Sequence, residues 1–183
     1  MKQLIILPGL SLIFISCTNN SKETAATALP SKPASIDAVL SIVKQKKYTA
    51  EKIATLSPFE MDKENPYDWF DDKKDTSSFA REFLAERLNM SLKFINDTAV
   101  RLMEEGKETT GLYKLDTIII EEENPGIKLR ISYPDSSMSF PGVTSPMIMT
   151  YTFNVLGINE KNLLLETPRS YNNRKVAVLL KSE

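Results

Sequence analysis

The stretch MSLKFINDTAVRLM, Met90 to Met103, decides the fold. Up to Leu88 the apolar residues Phe79, Phe83, Leu84 and Leu88 of SSFAREFLAERL recur at helical spacing, and beyond Asn89 the period drops to two. Met90, Leu92 and Phe94 alternate with Ser91, Lys93 and Ile95. Asn96 and Asp97 form a turn dipeptide, after which Val100 and Leu102 alternate with Arg101 and Met103. The pattern predicts a β-hairpin with one buried face, preceded by a helix over Ser77 to Leu88.

Downstream the same grammar repeats. Gly106 closes a turn, and LYKLDTIII, Leu112 to Ile120, is rich in aromatic and β-branched residues. Asn124, Pro125 and Gly126 suit a type II turn, and Ile127, Leu129, Ile131 and Tyr133 then alternate with Lys128, Arg130 and Ser132. A long connection from Pro134 to Pro146 leads to Tyr151, Phe153 and Val155, which alternate with Thr152 and Asn154. Turns around Asn159 to Asn162 and at Asn172 and Asn173 separate the last runs, Leu163 and Leu165, then Val176, Val178 and Leu180. Upstream, Ile36, Val39, Leu40 and Val43 predict a short amphipathic helix with Ser35 as its N-cap. KYTAEKIATL, Lys47 to Leu56, shares no single helical face and reads as a strand, whereas Phe59 to Thr76 reads as a long connection.

Eight strands near residues 47, 90, 99, 110, 127, 148, 162 and 174, joined by mostly short turns, predict a mainly β chain. The expected form is an antiparallel meander closed into a barrel, since closure removes exposed edges, with one or two short helices. The alternative is an open α+β antiparallel sheet in which the second helix runs on through Leu102.

Three stretches carry a resemblance: SLKFINDTAV (Ser91 to Val100), TGLYKLD (Thr110 to Asp116) and YTFNVLGINEKNLLLE (Tyr151 to Glu166). Over roughly residues 90 to 183 the chain resembles the lipocalin-like domains of Bacteroidetes lipoproteins. That resemblance implies a lipocalin-like barrel and a small hydrophobic ligand.

Near the N-terminus, Lys2 precedes the apolar run LIILPGLSLIFI, Leu4 to Ile15, followed by Ser16 and Cys17. A dozen apolar residues interrupted by Pro8 and Gly9 are too short to span about 30 Å of hydrocarbon, yet suit the core of a signal peptide. The cysteine behind this run resembles the lipobox of bacterial lipoproteins, in which it is diacylated and becomes the new N-terminus. Two acyl chains anchor stably, at about 0.8 kcal/mol per buried methylene. The expected organisation is therefore a signal peptide over 1–16, a lipidated Cys17 and flexible tether over 17–34, and the lipocalin-like β domain over 35–183. The expected location is the outer membrane, held by the lipid and facing either the periplasm or the exterior.

Composition narrows the function. With 23 basic against 24 acidic residues there is no electrostatic footprint for nucleic acid. The absence of histidine and the single cysteine remove the commonest general base and metal ligand, every Ser-His or Cys-His pair and every intrachain disulfide. Asp68, Asp71, Asp72 and Asp75 lack the spacing of a calcium loop and read as solvated. Glu104, Glu105 and Glu121 to Glu123 read as wet turns rather than catalytic pairs. No enzyme, metal or cofactor is expected.

What remains is a barrel and its ends. Tyr113, Leu129, Ile131, Tyr151 and Phe153 should point inward, and access would then lie only at the two ends. Met138, Phe140, Val143 and Met147 of the sixth connection, with Tyr67, Trp69 and Phe70, are apolar where loops should be polar. They are candidates to cover an end, either as the mouth of a ligand site entered beneath Phe140 or as a plug. Two functions stay open: a membrane-anchored lipoprotein binding a small hydrophobic ligand, and a structural or partner-binding envelope lipoprotein with a filled barrel.

Overall fold

Strands dominate the chain, and they pair in sequence order. The computed structural model describes residues 29–56, 66–71, 73–118, 126–135 and 145–183. Helix α1 (Ile36–Val43) precedes β1 (Lys47–Leu56). The short β2 (Tyr67–Trp69) and helix α2 (Ser78–Leu88) follow, and then β3 (Ser91–Phe94), β4 (Ala99–Glu104), β5 (Lys107–Ile118), β6 (Gly126–Asp135), β7 (Met147–Ile158), β8 (Asn162–Tyr171) and β9 (Arg174–Ser182). From β3 to β9 each strand pairs antiparallel with the next, and β1 closes the circle by pairing with β9 on one edge and β3 on the other. The result is a closed eight-strand antiparallel barrel with β2 added at its rim. Helix α2 ends at Leu88 and residues 91 to 103 form a hairpin, so the open sheet with a long helix is not the fold.

Local chemistry explains the boundaries. The Ser35 and Ser77 hydroxyls accept hydrogen bonds from the backbone N–H of Ala38 and Ala80, capping α1 and α2. Asn96 Oδ1 accepts from the N–H groups of Thr98 and Ala99 and turns β3 into β4. Glu105 and Gly106, and likewise Asn172 and Asn173, have positive φ at both central positions, the twist that a two-residue hairpin loop needs. The Asn124 to Gly126 turn lies mostly outside the described residues.

One face of every barrel strand points inward. Tyr48 and Ile53 of β1, Leu92 and Phe94 of β3, Val100 and Leu102 of β4, and Leu163 and Leu165 of β8 join Val176, Val178 and Leu180 of β9 in one buried cluster. Helix α1 closes the lower end: Val39 and Val43 are 1% exposed and pack on that cluster, while Lys44 pairs with Asp97 and Lys46 with Glu160 around the edge. Helix α2 stands at the upper end. There β3 is only four residues long, so Ser91 opposite Met103 is the last rung and the wall between β1 and the end of β4 is left to α2, which buries Ala80, Leu84 and Arg87.

Two features depart from the sequence reading. Residues Tyr67 to Trp69, read as part of a connection, form a strand paired with Ala54 to Leu56; this puts Tyr67 and Trp69 against a second, outer-face cluster of Leu56, Leu164, Ala177 and Leu179. A three-residue strand is too short to show a period. Pro30 and Ser31, read from composition as the end of the tether, are docked: Pro30 is buried and the Ser31 carbonyl accepts a hydrogen bond from Ile158 N–H at 2.9 Å. Gly157 permits this approach, since a Cβ there would lie 2.3 Å from the Pro30 carbonyl oxygen.

Candidate functional site

The upper end gathers the polar chemistry. Val100, Leu102 and Glu104 share the inward phase of β4, and Glu104 is the residue just past the last β3 rung. On α2, Arg87 follows Ala80 and Leu84 on the buried face. The two meet: Arg87 Nη1 donates to Glu104 Oε1 with both side chains almost wholly buried, at 2% and 5% exposure. Arg87 Nη2 reaches Glu105 Oε1 at 3.2 Å, and Glu105 in turn pairs with Arg169 of β8. The Arg87 guanidinium also lies 5.7 Å from the centre of the Phe83 ring. Burial works against the charge on Arg169, but Glu105, Glu104 and a hydrogen bond with Tyr151 raise its pKa above the ordinary value.

This charge network overturns the reading of Glu104 as part of a wet turn. Its burial was signalled by strand phase, because Glu104 stands two residues after Leu102 as Leu102 stands two after Val100. Glu105, the turn residue proper, is about one-third exposed.

Two tyrosines sit beside the network. Tyr133 and Tyr151 stack with ring centres 5.6 Å apart. Burial, a hydrogen bond with Tyr151 and the nearby charges of Tyr151, Asp135 and Glu104 push Tyr133 up to about 12. At the other end of the interior, Tyr48 is fully buried and edge-on to Phe94; its hydroxyl has no hydrogen-bond partner among the described residues, and burial, with Glu160, pushes it up to about 12.

The expected interior residues can now be placed. Tyr113, Leu129, Ile131 and Phe153 are 0–7% exposed within the central cluster, with Tyr151 half-buried against it. Leu129 lies opposite both Leu115 and Phe153, and Ile131 opposite both Tyr113 and Tyr151, so these six form adjoining rungs of β5, β6 and β7. Trp69 stands apart from them, on the outer-face cluster with Tyr67, 5.6 Å between ring centres. Phe70 instead joins Phe83 and Tyr171 over the upper rim. Asp135 and Met147, the facing ends of β6 and β7, lie at this same end of the barrel. Met138, Phe140, Val143 and Cys17 lie outside the described residues; Met147 is half-buried at the start of β7.

Sequence reasoning missed a cleft of about 450 Å³ at this rim, between β2, the segment leading into α2 and the β8–β9 turn. It is lined by Thr55, Trp69, Phe70 and Tyr171, with Asp68, Asp75, Asn172 and Arg174 supplying the charged and amide groups. These positions are distant in sequence, and only the pairing of β2 with β1 and β1 with β9 assembles them.

Among the described residues no group of three or more acidic or cysteine side chains is arranged to hold a metal ion, and no helix is long and apolar enough to cross a membrane. No family model, curated protein or solved structure matches the chain.

Proposed function

We propose that the chain is a lipid-anchored envelope lipoprotein whose barrel is filled by its own side chains and serves as a structural or partner-binding module, without catalysis. The observation that supports this most is the packing of the residues expected to line a ligand cavity. Tyr113, Leu129, Ile131 and Phe153 are buried against one another, with α1 packed beneath and α2 above. In such a barrel the interior supplies stability, and recognition falls to the rim. The anchor is Cys17, and the location the outer membrane, facing the periplasm or the exterior. A second reading, a small hydrophobic ligand held in the upper half, draws support from the half-buried Met147, Met149 and Tyr151 on the inward face of β7.

Two measurements test the proposal. Detergent-phase partitioning of the full chain should be lost on Cys17→Ser; partitioning that persists would show that the lipid is not the anchor. Organic extraction of the purified full chain followed by mass spectrometry should recover the lipid only in covalent attachment. A stoichiometric, non-covalent apolar molecule would replace the filled-barrel reading with the ligand reading.

A further inference from the structure

We infer that the rim cleft between β2 and the β8–β9 turn is a binding site for a neutral, hydroxyl-rich ligand, namely one or two sugar units. Its volume, about 450 Å³, lies within the usual range for small-molecule sites. Its lining fits that class better than others. Phe70 and Tyr171 meet edge to face, 5.2 Å between ring centres, with Phe79 stacked on Tyr171, and with Trp69 they give the cleft its apolar lining, against which a sugar's C–H groups can rest. Around them stand carboxylates that accept hydrogen bonds, Asp68 and Asp75, and an amide and a guanidinium that donate, Asn172 and Arg174. A sugar hydroxyl does both.

The charges argue against the competing classes. Arg174 Nη1 lies 3.9 Å from Asp68 Oδ2, and Asp75 Oδ2 already accepts from Asp71 N–H at 2.8 Å, so each carboxylate already faces a donor with which a cation would have to compete. Two carboxylates against one guanidinium disfavour an anion. Asp68, Asn172 and Arg174 are exposed, so an apolar ligand would desolvate polar groups without repairing them. Asn172 also has a left-handed backbone, φ 49°, which fixes its position at the first place of a tight turn.

The site requires neither the anchor nor the filled interior, so its failure leaves the proposed function standing. Trp69 is the chain's single tryptophan and lines the cleft, so its emission reports occupancy. Purified full chain in a glycoside-free detergent is titrated with cellobiose, maltose, lactose and N,N′-diacetylchitobiose, reading Trp69 emission and, independently, saturation-transfer NMR of the sugar. Saturable binding of at least one disaccharide is expected. It should weaken about tenfold or more in Asp68→Ala and in Asn172→Gly, each removing hydrogen bonds while glycine keeps the turn conformation. Unchanged thermal midpoints would show that both variants fold. Absence of binding by all four sugars in both measurements, or binding that neither substitution weakens, would overturn the inference, as would competition by an apolar dye for the same Trp69 response.

Discussion

Arg87 is the side chain on which the upper end of the barrel turns, and removing its charge gives the sharpest test of the packing. Arg87→Met keeps an unbranched apolar chain beside Phe83 but gives up the guanidinium's contact with that ring and leaves Glu104, 5% exposed, without its ion-pair partner. Among the described residues Arg87 is the one group hydrogen-bonded to the Glu104 carboxylate, and Glu104 Oε2 already has no partner. Breaking a buried pair from one side costs roughly 3–5 kcal/mol, a large part of the about 5–15 kcal/mol that holds a domain folded. Glu104→Leu should cost less, about 1–3 kcal/mol, because Glu105 still pairs with Arg87 Nη2. The double variant removes both buried charges and should return to within about 1 kcal/mol of the native chain, since well-packed apolar replacements of buried pairs are often neutral. The cycle is read by urea unfolding, following far-UV circular dichroism and Trp69 emission together. A loss under about 1 kcal/mol in Arg87→Met, or losses that simply add in the double variant, would refute the reasoning.

Three further outcomes follow from individual contacts. Gly157→Ala places a Cβ against the Pro30 carbonyl and should displace the N-terminal arm, costing about 1–3 kcal/mol; amide exchange at Ile158, whose N–H bonds Ser31, should accelerate, and unchanged protection would contradict this. Tyr48 and Tyr133, both held at about 12 in the folded chain against the ordinary 10, favour the folded state fully below pH 10 and lose that stabilisation as pH rises toward 12. Ultraviolet titration should therefore show Tyr48 and Tyr133 among the tyrosines that ionise late, and the stabilisation they contribute should fall across that window and not below it. Ser77→Ala removes the cap on Ala80 N–H and should cost about 0.5–2 kcal/mol in urea unfolding.

Strands such as β3, β4 and β6 were legible because apolar residues alternate along them, and the sequence from Ile127 to Tyr133 does so without interruption; both hairpin turns with paired positive φ carry Gly or Asn. Helix starts were legible through Ser35 and Ser77. The short β2 was not, since three residues carry no period and its partner Leu56 lies across an insertion. Arg87 and Glu104 were readable only in phase, one following Ala80 and Leu84 on a helix face and the other following Leu102 on a strand face. A charged residue in a buried phase invites the assumption of a solvated turn until its partner, supplied by another element, is seen. The rim cleft was hidden for a different reason. Asp68, Asp75 and Arg174 become neighbours only after β1 pairs with both β2 and β9. How fully a barrel is packed depends on side-chain volumes summed across eight strands, which no periodicity encodes.

The filled interior is the central claim, and xenon tests it most directly, because dry apolar cavities bind the gas. Crystals of the protein are pressurised with xenon and the anomalous signal is mapped. No xenon should lie enclosed among Leu129, Ile131 and Phe153. A well-occupied xenon atom there, or an elongated apolar molecule in the same place, would contradict the account and make the barrel a container.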